Sequence, residues 1–263
     1  MRYVLVAMLV AALLAATSPA GTALPALHRR APVAALPPGS AASPAAAAAS
    51  AAAGAILAGE APRAIGALTP LVDTDPRNLE LRGLLALALY LNGQKLQAMR
   101  HAFVLRRQDP QGRETAFLVS RRLLPAFQQD TKVAAQLVDL LSQGGDGGFL
   151  WLAQVHQERG AYEDAVTILT RGVALYPRSA KLLDGLGFNA WKAGMQEEAI
   201  AAYRKAIHLQ PSWWGLYFNL GWVYFTGRRY SNAASTWRTA LRLNPGQPAL
   251  PDLIREAERR AGS

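Results

Sequence analysis

The side chains able to do chemistry are few and scattered. Histidine occurs at 28, 101, 156 and 208, and no two of these have metal-ligand spacing such as the HExxH pair. His156 and His208 fall inside helical patterns and read as solvated or half-buried. Asp73/Asp75 and Glu197/Glu198 are near-neighbour carboxylates that fit a helix end and an exposed face better than an acid–base couple. The Gly144-Gly145-Asp146-Gly147-Gly148 run lacks the Lys-Ser/Thr of a phosphate-binding loop and reads as a flexible hinge. There is no nucleophile elbow and no strand pattern. The sequence therefore points away from catalysis, metal binding and cofactors.

Aromatic residues are the more informative chemistry. Four of the six tryptophans lie between Trp213 and Trp237, together with Tyr217, Phe218, Tyr224, Phe225 and Tyr230. Clustered aromatic side chains serve either as core or as anchors for a partner. The elements that carry them decide which.

Those elements repeat. Prolines stand at 76, 110, 177, 211 and 245, at intervals of 34, 67, 34 and 34. Alanines at 64, 98, 165, 199 and 233 precede each proline by 12 residues, and glycines at 59, 93, 160 and 194 precede the first four by 17. In the last unit Gly227 sits one residue early. A fixed period of this length is the mark of stacked supersecondary units. Glycine ends a first helix, an apolar stripe at helical spacing forms a second, and proline ends that one. Small residues 24 before each proline (Ala52, Ala86, Ala153, Gly187, Gly221) let paired helices approach closely.

These residues resemble the tetratricopeptide repeat. Leu186-Gly187, Gly194, Ala199, Tyr203, Ala206 and Pro211 carry the likeness, as do Leu220-Gly221, Tyr224, Tyr230, Ala233, Trp237, Ala240 and Pro245. The resemblance implies an all-α, right-handed solenoid of about five to six 34-residue helix-turn-helix units with a C-terminal capping helix. Units at 45–112 are divergent, 113–145 is degenerate and interrupted by Pro125, 146–247 holds three well-formed units, and 248–263 is cap and tail. In the cap, Leu250, Leu253, Ile254 and Ala257 form the apolar face. Repeat proteins of this kind bind partners in a groove lined by their first helices. Carried over, the groove positions are Lys181, Asp184, Phe188, Trp191 and Lys192, then Phe218, Trp222, Phe225 and Thr226. Of these, Phe188, Trp191, Lys192, Phe218, Trp222 and Phe225 are the expected partner-binding residues, with extra packing or a neighbouring chain as the alternative for the rings. Only Asn219 matches the family's clamp for a terminal carboxylate, so that mode is not expected.

The N-terminus has other origins. Arg2, the apolar Val4–Ala16 and Ser18-Pro19-Ala20 have the layout of an export signal at 1–20, and 21–44 reads as an Ala/Pro-rich tether. An uncleaved anchor reaching Leu27 is the alternative. After removal of the signal no apolar run is long enough to span a membrane. Cysteine is absent, which excludes disulfides and thiolate metal sites. The formal charge of +10 is spread in pairs rather than runs, so no nucleic-acid-binding tail is present. The expectation is a non-enzymatic interaction scaffold of a bacterial envelope, periplasmic or secreted, serving an assembly such as polysaccharide export or secretion. The alternative is a direct binder of acidic polysaccharide through its basic, aromatic surface.

Overall fold

The computed structural model describes residues 43–128, 131–142 and 144–262. The expected signal, most of the expected tether and His28 lie outside them. The described residues form thirteen α-helices and no strand: α1 (Pro44–Leu57), α2 (Ala61–Thr74), α3 (Leu79–Leu91), α4 (Lys95–Gln108), α5 (Arg113–Leu123), α6 (Lys132–Ser142), α7 (Asp146–Gln157), α8 (Tyr162–Leu175), α9 (Ala180–Lys192), α10 (Gln196–Leu209), α11 (Trp214–Thr226), α12 (Tyr230–Leu243) and α13 (Leu250–Ala261). A 3₁₀ segment, Leu124–Gln128, follows α5 where Pro125 interrupts it. The helices fall into two compact units, one ending at Gly160 and one beginning at Ala161.

The repeat punctuation works as its chemistry requires. Helices α2, α4, α8, α10 and α12 each stop two residues before a proline. The intervening residues (Asp75, Asp109, Tyr176, Gln210, Asn244) leave the helical region for φ of −122° to −141° and ψ of 65° to 87°. That is the conformation imposed by the following pyrrolidine ring. Gly59, Gly93, Gly160 and Gly194 all take φ between 73° and 81°. The equivalent place in the last repeat is not Gly227, whose φ is −82°, but Arg228 at φ 61°. Gly227 packs against the Gln196 side chain, whose amide donates to the Val223 carbonyl; an added Cβ would stand 1.5 Å from its Nε2 and displace that flexible glutamine.

The period alanines 64, 98, 165, 199 and 233 are all fully buried. The small residues facing them differ between the units. In the C-terminal unit, glycine sits beneath an aromatic ring: a Cβ on Gly187 would meet the Tyr203 ring at 2.8 Å, and one on Gly221 would meet Trp237 Nε1 at 2.1 Å. In the N-terminal unit the same pair of positions holds Ala52 with Leu68 and Ala86 with Ala102, all buried. A larger residue on one helix is matched by a smaller one on the other, so hairpin geometry survives without the aromatics.

The N-terminal unit is joined by polar bridges between distant helices. Arg122 binds Glu80 at 2.7 Å and donates to Ser50 Oγ at 2.8 Å. Arg82 donates to the Pro76 carbonyl at 2.7 Å. His156, expected to be solvated or half-buried, is fully buried, with Nε2 2.7 Å from Ser120 Oγ and its ring against Phe117. The Gly144–Gly148 segment turns into α7. Asp146 starts α7, and an added Cβ on Gly148 would stand 2.2 Å from the Leu141 carbonyl oxygen.

The cap forms as expected. Leu250, Ile254 and Ala257 are buried with Trp237 and Ala240, while Glu256 on the outer side holds Arg259 and Arg260 at 2.7 and 2.6 Å.

Candidate functional site: an aromatic face of two first helices

Helices α9 and α11 are the first helices of neighbouring hairpins in the C-terminal unit, and two hydrogen bonds tie their facing sides. At one end Asn219 Nδ2 donates to Asp184 Oδ1 at 3.2 Å; at the other, Trp191 Nε1 donates to Thr226 Oγ1 at 2.9 Å. The two ties are seven residues apart along each helix, which is about 10 Å. Between them along the helices stand Phe188 and Trp222, and Phe218 lies just beyond the Asn219 end.

The rings pack edge to face. Phe188 and Trp191 have centroids 6.1 Å apart, Phe218 and Trp222 6.5 Å, and Trp222 and Phe225 5.8 Å. Trp214 extends the row beyond Phe218 at 5.9 Å. This geometry sets positive ring edges against negative faces. It has a consequence for exposure: Phe188, Trp191, Phe218, Trp222 and Phe225 are all half-buried rather than exposed. Each ring shields part of its neighbour, and Trp222 also leans on Trp237 at 5.3 Å. Trp222 Nε1 is buried with no hydrogen-bond partner.

The expected residues do not all share one role. Phe188 lies outside the packed core of the unit, whereas Trp191, Phe218, Trp222 and Phe225 border it. Phe225 turns toward the cap, packing on Tyr230 and Trp237 at 5.4 and 5.5 Å beneath the Arg260 guanidinium at 4.9 Å. Lys192 is exposed, with its ammonium 5.1 Å from the Trp191 ring centre. Lys181 is exposed at the start of α9.

Asp184 is the feature that composition and spacing undervalued. Its residue is 9% exposed, and burial raises its carboxyl pKa to about 6 against the opposing bond from Asn219. Beside it lies Tyr203 from α10, fully buried, whose hydroxyl comes near the Asn219 amide without reaching hydrogen-bond geometry. Burial and then the Asp184 carboxylate push that phenol well above its usual range. One end of this face is therefore acidic, and the rings beside it present their edges. No group of three or more His, Cys, Asp or Glu side chains that could hold a metal ion occurs among the described residues. The one residue matching a carboxylate clamp, Asn219, is spent on a carboxylate of its own chain.

Residues 185–248 match the tetratricopeptide repeat model. The matched stretch covers all but the first residues of α9 and runs through α12, so most of the aromatic face lies within it. Among solved structures, the first such domain of Spaghetti (RPAP3), bound to the Hsp90 peptide SRMEEVD, is 17% identical with a TM-score of 0.42, covering 44% of this chain and 91% of that one. The MamA protein is 18% identical with a TM-score of 0.34, covering 74% and 88%. YrrB, a tetratricopeptide protein with an unusual peptide-binding site, is 15% identical with a TM-score of 0.41, covering 73% and 97%. No curated protein sequence matches the chain.

Proposed function

We propose that this chain is a non-catalytic scaffold that holds an extended segment of a partner protein along the α9/α11 face. The observation that carries the reading is the row of half-buried rings on two helices joined by two hydrogen bonds about 10 Å apart. The space between the two ties suits roughly three residues of extended chain. Buried Asp184 at one end repels a terminal carboxylate and favours donors, so the segment is an internal one with apolar and donor side chains rather than a free C-terminus. The scaffold is exported, with residues 1–20 as its signal, and works in the envelope within a larger assembly. Direct capture of acidic polysaccharide is the weaker reading. Arg113, Arg122, Arg159, Arg229 and Arg238 are each already bound to a glutamate.

The test is a photo-crosslinking amino acid at Phe188 in the native cell, followed by identification of the adduct. Phe188 and Trp191 replaced together by alanine should leave helicity and melting near native, yet weaken the identified complex about 30-fold, as expected for hot-spot loss of ~2 kcal/mol. A folded double variant that binds the same partner normally would place the binding surface elsewhere. Mass analysis of the purified chain starting near Gly21 supports export; retention of residues 1–20 on membrane-bound protein supports the anchor instead.

A further inference from the structure

Helix α4, in the N-terminal unit, has an outer face that neither the repeat packing nor the aromatic face explains. Its inner side is ordinary: Ala98, Ala102 and Leu105 are buried. Its outer side carries Leu96 at 67% exposure and Phe103 at 54%, the two most exposed large apolar side chains among the described residues. The other two, Leu175 and Leu243, are the last residues of α8 and α12, next to their caps. Leu96 and Phe103 stand in one stripe with Arg100 and Arg107, which alternate with them. At 3.6 residues per turn the four fall within about 60° of arc. Lys95 and Arg106 flank the stripe, both exposed.

The helix has four cations and no acidic residue. Among the described residues none of those four forms an ion pair, whereas arginines of α5, α12 and α13 do. The acids nearest in sequence are engaged elsewhere: Asp109 accepts from the Thr115 amide at 2.8 Å, Glu114 is held by Arg159, and Glu80 by Arg122. Bulky apolar side chains alternating with uncompensated cations fit a surface that is negative outside and apolar beneath.

We propose that the outer face of α4 docks on an anionic lipid bilayer, with Leu96 and Phe103 entering the headgroup boundary and Arg100 and Arg107 on the phosphates. Two other occupants fit poorly. Residues 1–42 contain no Asp or Glu and leave the cations unmatched, and a second copy of a chain of net charge +10 brings repulsion. This inference does not depend on the aromatic face.

The absence of cysteine allows a local readout. Gln97→Cys, on the exposed flank of α4, carries an environment-sensitive fluorophore in the full chain. It is mixed with vesicles of phosphatidylglycerol and phosphatidylcholine or of phosphatidylcholine alone. A blue shift on the anionic vesicles only, fading with added salt, is expected. Arg100→Gln with Arg107→Gln should weaken partitioning by roughly 25-fold, at about fivefold per basic residue. Leu96→Ser with Phe103→Ser should weaken it at least tenfold, with circular dichroism unchanged in both. The proposal is overturned if the fluorophore stays unshifted while the chain cosediments, since the N-terminal apolar segment then accounts for binding. It is equally overturned if neutral vesicles shift the fluorophore as well, or if soluble polyglutamate shifts it and anionic vesicles do not. That last result assigns the face to an acidic protein.

Discussion

Gly221 and Trp237 should behave as one energetic unit. Gly221→Ala normally adds about 1 kcal/mol of helix propensity. Here the new methyl would stand 2.1 Å from Trp237 Nε1 and 2.3 Å from Cδ1, so the fully buried indole must move. Moving it strains the packing by about 1–3 kcal/mol. It also pulls Nε1 off the Phe218 carbonyl, 3.0 Å away, and leaves a buried N–H unmatched at a further ~1–3 kcal/mol. The net expectation is a loss of about 3 kcal/mol. Trp237→Leu alone leaves a cavity beside Trp222 and Phe225 and should cost about 3 kcal/mol as well. Together they recreate the alanine–leucine pairing of Ala52 and Leu68, with the new methyl filling part of the vacated space. The double variant should therefore lose at least ~1.5 kcal/mol less than the sum of the singles, within the usual range of coupling between contacting residues. Urea unfolding followed by far-ultraviolet circular dichroism measures all four corners of the cycle without relying on tryptophan emission. Additivity within about 0.5 kcal/mol would refute the idea that glycine and aromatic exchange volume across the hairpin.

Three further outcomes follow from the same coordinates. Arg228→Gly should stabilise by about 0.5–1 kcal/mol, because the left-handed strain of the arginine exceeds the chain entropy that glycine adds; an unchanged or lower melting temperature would contradict this. Ala199→Leu, at a fully buried position, should cost ~1–3 kcal/mol by overpacking, whereas Glu197→Leu on the exposed face of α10 should stay within about 0.5 kcal/mol; equal melting shifts would mean the helical phase is wrong. Asp184 holds its proton more tightly when folded, so its burial penalty is absent below about pH 3, grows between the ordinary value of 3.8 and about 6, and is complete above that. Asp184→Asn should therefore match the parent near pH 3 and exceed it at pH 7 by up to about 3 kcal/mol, and a difference independent of pH in urea titrations would refute this.

The hairpins were legible in the sequence because their signals recur in phase. Proline after a second helix, glycine at a left-handed turn and alanine at the closest approach each act within a few residues, so local chemistry fixes them. Legibility failed where a neighbour of the right type stood beside the true position. Gly227 next to Arg228 suggested a displaced turn, yet the backbone keeps the period and the arginine takes the strain. It failed again where burial depends on distant helices: nothing near His156 in the chain announces Ser120 and Phe117 from α5. In the Gly144–Gly148 run, glycine also permits the approach of the Leu141 carbonyl to Gly148, a use that composition alone does not announce.

The candidate site was half legible, and the reason lies in an offset. Periodicity compares residues 34 apart, which are equivalent and lie at the same height on successive hairpins. The two bonds that close the aromatic face join residues 35 apart, Asp184 to Asn219 and Trp191 to Thr226. One residue of helix is about 100° of rotation and 1.5 Å of rise. The facing sides of neighbouring first helices are therefore read diagonally, not straight across. The 34-residue counterpart of Asp184 is Phe218, and that of Asn219 is Gly185. Neither partner of the polar tie recurs in the next repeat, so a search for repetition passes over it. The repeating residues build the hairpin, while the residues that distinguish this face occur once. That is why the packing could be read from the sequence and the buried acidic tie at one end of the rings could not.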